Sequence, residues 1–139
     1  MRKSLLLRLS PCLTVLPLLT ACGSGSASGP DPRTVVANYY SALFHHHYDQ
    51  AIEYLNVTTA PNPSMNVTTA GELESHDQAV AAGRASRSYR INSQSINGTT
   101  ASVNVTISSD GSSESTTLQV SEDNGNWVIT FGDNPSLLY

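Results

Sequence analysis

The sequence predicts an α+β fold in which N-terminal helices pack on one face of a curved, four-stranded antiparallel meander. Three observations predict it. Turn signals at Asn97-Gly98, Asp110-Gly111 and Asn124-Gly125 divide the last third of the chain, and these residue types tolerate the positive φ of tight hairpins. Between the turns, apolar residues alternate with period two, as on strands that bury one face. Upstream of Tyr89 they recur every three or four positions instead, as on helices.

Asp31-Pro32 opens the first helix. The Asp side chain caps free N–H groups, and Pro fits the first helical position. Val36, Tyr40, Leu43 and His47 then fall on one face, with Val35 and Tyr39 beside them. Tyr48, Ile52 and Leu55 share a face of a second, short helix, and His45-His46-His47-Tyr48-Asp49 joins the two. Positions 56–70 are polar and irregular. They hold a repeat, Asn56-Val57-Thr58-Thr59-Ala60 and Asn66-Val67-Thr68-Thr69-Ala70, with Pro61 and Pro63 between. One repeat is too little for a solenoid and reads as a rim loop or a local duplication. Thr69-Ala70-Gly71-Glu72 matches a capping box, so a third helix is expected over 72–82, with Leu73 and Val80 inward and Gly83 ending it. The first strand runs Tyr89, Ile91, Ser93 and then Ile96, a slip of phase that predicts a bulge and a bent sheet. Ala101, Val103, Val105 and Ile107 share the next face, followed by Thr116, Leu118 and Val120, then Trp127, Ile129 and Phe131.

The N-terminus carries an export pattern. Met1-Arg2-Lys3-Ser4 is a basic head, and the apolar run that follows, with Arg8 inside it, ends at Cys22. Positions 9–22 are too few to cross a bilayer, which takes about 20 apolar residues. Leu19-Thr20-Ala21-Cys22 resembles the lipobox of bacterial lipoproteins, in which the cysteine thiol receives a diacylglyceryl group and a peptidase cuts before it. Cys12 lies in the segment that would be removed, so Cys22 would be the one remaining thiol, without a disulfide partner. The expected organisation is a signal peptide over 1–21, a lipidated Cys22 with a flexible Gly/Ser tether over 22–30, and one folded domain over 31–139. This places the domain on the extracytoplasmic side of the cell membrane, with the membrane itself as partner through the lipid anchor. Of seven Lys and Arg, three lie in positions 1–21; four remain against eleven acids, a net charge of −7. Such a surface excludes nucleic acid as a partner, because binding it rests on phosphate neutralisation.

The order of elements resembles the cystatin-like cone of the NTF2-like superfamily. Val36-Ala37-Asn38-Tyr39-Tyr40-Ser41-Ala42-Leu43 followed by Tyr48-Asp49-Gln50-Ala51 is similar to the opening of small NTF2-like lipoproteins of DUF4878 type. That family has a D-Y-x-x-A joint; His47 stands here where the Asp is usual, so the joint matches in part. Asp123-Asn124-Gly125-Asn126-Trp127-Val128-Ile129 resembles the closing D-G-x-W-x-V hairpin. The resemblance covers 31–133 and carries no catalytic residue across.

Several residues invite chemistry. Three consecutive histidines on a helix point about 100° apart and cannot close on one ion unless the helix ends there. His45 and Asp49, one turn apart, would supply two ligands, whereas zinc sites use three or four. No metal or cofactor is therefore expected. NTF2-like enzymes place Asp, His or Tyr in an apolar pocket; the candidates here are Tyr39, Tyr40, Tyr54, His47, His76 and Asp77, and none forms a dyad by spacing. Three of the four remaining cations, Arg84, Arg87 and Arg90, cluster; the ordinary outcome is pairing with nearby acids, the alternative a grip on an anionic ligand. Asn-x-Thr triplets at Asn56, Asn66, Asn97 and Asn104 are sequons only in a compartment that glycosylates them. The pattern thus predicts a membrane-anchored lipoprotein with a non-catalytic binding or interaction domain. Tyr40, Val103, Val105, Leu118, Trp127, Ile129 and Phe131 would line an apolar pocket if the helices leave the cone unfilled. The partner would be a small apolar ligand or another envelope protein. The alternatives are a pocket enzyme of isomerase or dehydratase type and an envelope assembly or exclusion factor without a ligand.

Overall fold

A computed structural model describes residues 29–56, 67–82 and 86–130. The expected signal segment, Cys22, most of the expected tether, most of the repeat, Gly83, Arg84 and Phe131 lie outside the described residues. The order is α1 (Pro32–Phe44), α2 (Tyr48–Ile52), α3 (Ala70–Ala81), β1 (Arg87–Asn97), β2 (Thr100–Ser109), β3 (Ser112–Asp123) and β4 (Asn126–Thr130). The strands form one antiparallel sheet in the order β1-β2-β3-β4, with the helices on one face. None of the described helices is long and apolar enough to cross a membrane.

Helix α1 begins as its sequence requires. The Asp31 carboxylate accepts from the Thr34 N–H at 3.0 Å, and Pro32 occupies the first turn. Val35, Val36, Tyr39, Tyr40 and Leu43 are buried. The helix stops before His47, which is exposed rather than part of the inner face. The cause is a Schellman cap: the His47 N–H reaches the Ala42 carbonyl at 2.9 Å and the His46 N–H reaches Leu43 at 3.1 Å. His46 takes the left-handed position at φ 60°, where glycine is usual.

Helix α2 is a single turn, and Leu55 is not on it. A turn follows Ile52, closed by the Leu55 N–H donating to the Ile52 carbonyl at 3.1 Å, and Leu55 pairs in parallel with Ile129. The Ile129 N–H donates to the Tyr54 carbonyl at 2.8 Å, and the Asn56 N–H donates to the Ile129 carbonyl at 2.9 Å. This short bridge covers the edge of β4.

Helix α3 has the expected capping box, but with Thr69 as the cap it starts at Ala70, two residues earlier than predicted. The Glu72 carboxylate accepts from the Thr68 N–H (2.7 Å), the Thr68 hydroxyl (2.9 Å) and the Thr69 N–H (3.1 Å). The Thr68 bonds, backbone first, lower its pKa from the usual 4.5. A lowered folded pKa gives stability that is present above the unfolded value and lost as pH falls through the folded one. We therefore expect the melting temperature to drop on acidification below about pH 4.5. Part of that drop should vanish in Glu72→Gln, read by thermal melts of both proteins from pH 6 to about pH 3.

The sheet's inner face carries Val103, Val105, Leu118, Val120 and Ile129, all at most 1% exposed. Burying each such side chain contributes about 1.5–3 kcal/mol. Register slips between Ile91 and Ser93, as the phase of the sequence predicts. Asn92 is the extra residue, and its amide reaches Asn104 (2.7 Å) and Thr106 (2.9 Å) on the outer face. The bend seats α1: the Arg33 N–H donates to the Gln94 side chain at 3.1 Å, and its guanidinium donates to the Ile91 carbonyl at 3.4 Å. Turns at Asp110-Gly111 and Asn124-Gly125 have positive φ at both residues. The first turn sits one residue later than predicted: Asn97 ends β1, and only Gly98 takes positive φ, as in hairpins with glycine first.

Candidate functional site

The end of α1, all of α2, the inner side of α3 and the start of β1 converge on one buried carboxylate. Asp77 lies one turn after Leu73, and both are fully buried; Val80, the expected inward residue, is half-buried. Arg87, at the start of β1, donates two bonds to Asp77, Nη1 to Oδ1 at 2.6 Å and Nη2 to Oδ2 at 2.9 Å. Its guanidinium also lies over the Phe44 ring, 4.6 Å from the centroid. This is a fork matched to a carboxylate in a dry environment.

The network continues outward. The Tyr48 hydroxyl donates to Asp77 Oδ2 at 3.1 Å, and His46 Nδ1 lies 2.7 Å from the Tyr48 oxygen. Because the Tyr48 proton points to Asp77, His46 must donate through Nδ1, and Nε2 is left toward solvent. The left-handed backbone at His46 turns the ring to meet Tyr48. Burial, and after it the hydrogen bond to Asp77, pushes the Tyr48 phenol up to about 12. It remains a neutral link at ordinary pH. The chain Arg87–Asp77–Tyr48–His46 thus runs from a closed interior to an exposed imidazole.

Two open depressions flank this joint. One, of about 550 Å³, is lined by His46, His47, Tyr48, Asp49, Gln50, Ala70, Gly71 and Glu74. The other, of about 410 Å³, is lined by Asn38, Ser41, Ala42, His45, His47, Gln50 and Tyr54. His45 lines the smaller depression and Asp49 the larger, and the helix ends between them. Among the described residues no group of three His, Cys, Asp or Glu is placed to hold a metal ion.

The residues expected to line an apolar pocket lie elsewhere. Tyr40, Val103, Val105, Leu118 and Ile129 are fully buried in the core, and Trp127 is 7% exposed. None of them lines either depression. Tyr40 stacks on Tyr89 at 5.5 Å and meets Tyr39 edge-on at 5.1 Å, so rings fill the space between α1 and β1. Of the enzyme candidates, Asp77 joins the network, His47 and Tyr54 line depressions, and the Tyr39 hydroxyl and His76 Nδ1 are buried without a hydrogen-bond partner among the described residues. Arg87 takes the intramolecular pairing; Arg90 is exposed. Spacing alone misses the partnership of Tyr48, Asp77 and Arg87, which are far apart in sequence.

Tyr39 carries a second polar anomaly. Its hydroxyl is buried without a hydrogen-bond partner among the described residues. Burial raises its pKa well above the usual value. An unpartnered buried hydroxyl costs about 1–3 kcal/mol. Tyr39→Phe is therefore expected to be neutral or to stabilise by about 1 kcal/mol in urea unfolding. A loss of stability would reveal a partner for that hydroxyl.

No family model and no curated protein matches the chain. Solved structures do. A Campylobacter jejuni protein described as an NTF2-like transpeptidase superposes with a TM-score of 0.55 at 14% identity, covering 74% of this chain and 100% of that one. A SEC-C motif containing protein from Rhodopseudomonas palustris gives 0.54 at 17% identity, covering 78% and 80%. At such identities the likeness establishes the fold alone: helices packed on an open four-stranded antiparallel sheet, as in NTF2-like proteins.

Proposed function

We propose that this NTF2-like chain is an extracytoplasmic lipoprotein whose folded domain is a non-catalytic interaction module. The anchor rests on Leu19-Thr20-Ala21-Cys22 and the Gly/Ser tether after it. The interaction reading is supported by one observation: Val103, Val105, Leu118 and Ile129, expected to face an apolar chamber, are wholly buried in the core. Recognition then falls to the polar depressions at the helix joint, and another envelope protein fits them better than a small apolar ligand.

Two experiments test the two halves. Cells fed a clickable fatty acid should label the wild type and not Cys22→Ala; equal labelling overturns the anchor. A photocrosslinking residue at Gln50, which borders both depressions, should capture a discrete envelope protein. The same residue at Thr117, on the outer face of the sheet, should not. Absence of adducts at Gln50 overturns the interaction site.

A second reading, an acid–base enzyme, is favoured by the buried Tyr48–Asp77 bond at the wall of the larger depression. It requires that Tyr48→Phe lower any isomerase or dehydratase turnover by at least about 10²-fold. The closed Arg87 fork on Asp77 argues for a structural role of that carboxylate.

A further inference from the structure

The cap of α1 separates the three histidines in a way the sequence alone does not suggest. His46, in the left-handed position, turns toward Tyr48. His45 and His47 are left together on the wall of the smaller depression. Their ring centroids are 6.5 Å apart, with planes inclined at 56°. His45 Nδ1 lies 2.7 Å from the Ser41 carbonyl. A carbonyl only accepts, so Nδ1 carries the proton and Nε2 is the free lone pair. A hydrogen bond of this type on the far nitrogen fixes tautomer and orientation in metal-ligating histidines. The His47 imidazole is exposed and has no hydrogen-bond partner among the described residues.

We propose that His45 and His47 form a two-coordinate site for monovalent copper, an inference independent of the interaction reading above. With metal–nitrogen bonds of about 2 Å, two imidazoles on opposite sides of one ion have ring centres roughly 6 Å apart. The observed centroid separation of 6.5 Å is close to that spacing. The other residues lining this depression, Asn38, Ser41, Ala42, Gln50 and Tyr54, include no carboxylate. Two neutral nitrogens suit a d¹⁰ monovalent ion that accepts linear coordination, and imidazole is a good copper donor. Zinc needs three or four ligands, and among the described residues no third His, Cys, Asp or Glu joins the pair; calcium and magnesium sites rest on carboxylates, and none lines this depression.

The test uses the full chain, purified without a polyhistidine tag and carrying Cys12→Ser and Cys22→Ser, so that free thiols do not compete for the ion. Titration against the copper(I)–bicinchoninate complex under reducing, anaerobic conditions should withdraw one ion per chain. X-ray absorption should report two nitrogen neighbours in linear geometry. His45→Ala and His47→Ala should each weaken binding at least tenfold while circular dichroism stays unchanged. His46→Gly, which suits the left-handed cap, should retain it, and zinc(II) should not bind in the same concentration range. The proposal is overturned if the parent protein withdraws no copper or if either alanine variant binds as the parent does. Loss of binding in His46→Gly would also overturn it, since the site would then need a third imidazole.

Discussion

Asp77→Asn is expected to destabilise the domain by about 3–5 kcal/mol, because it leaves a cation buried without its counter-charge. Arg87 is 7% exposed along its side chain and Asp77 is wholly buried, so water cannot replace the lost carboxylate. The amide keeps the shape and offers one acceptor where the carboxylate offers two, and it cancels no charge. The Phe44 ring below the guanidinium offsets only a fraction of the loss. Against a total stability of about 5–15 kcal/mol for a domain, the variant should be largely unfolded in mild urea. The double change Asp77→Leu with Arg87→Met should recover most of the loss, since apolar pairs commonly replace buried ion pairs at little cost. Urea titrations of the three proteins decide the matter. A drop below about 1 kcal/mol for Asp77→Asn would mean that the pair is solvated and that the site is open.

The second large effect concerns the interior of the cone. Leu118 is fully buried at the middle of β3, directly opposite Val103 on β2. In a close-packed core, Leu118→Ala removes transfer energy and leaves a cavity, together costing about 2–5 kcal/mol. If the space were a ligand chamber, the same truncation would merely enlarge it and cost far less. The control is Thr117→Ala, one residue away on the outer face, which should change stability by roughly 0.5 kcal/mol or less. Equal, small losses at both positions would revive the hollow pocket and the small apolar ligand with it.

Those two sites also mark where sequence reasoning succeeds and stops. Leu118 and its neighbours were readable because period-two alternation and hairpin chemistry are local signals, and the sheet obeys them down to the bulge at Asn92. The capping box at Thr69 was readable for the same reason, although the helix it starts is two residues longer at that end. Asp77 was not readable as core. A carboxylate inside a helix face contradicts residue-type expectation, and Arg87, which folds back from the next element, together with the Tyr48 hydroxyl makes it tolerable. The end of α1 was misjudged because His46 does what glycine usually does. Helical spacing carries His47 on past the true cap, so which depression each imidazole faces is not legible from the sequence. The fold was thus legible from local patterns, and the candidate site, built from long-range pairs, was not.

The bulge at Asn92 has a consequence for engineering. Tyr89 and Ile91 before it, and Gln94 and Ile96 after it, occupy the same side of the sheet, because they pair with Ile107, Val105, Val103 and Ala101 in turn. Removing the single codon for Asn92 would restore strict alternation without turning any of these side chains over. Curvature in this strand is therefore a separable trait: one deletion flattens the ribbon while leaving its two-sided chemistry intact. The helix that leans on the bend through Arg33 would register the difference.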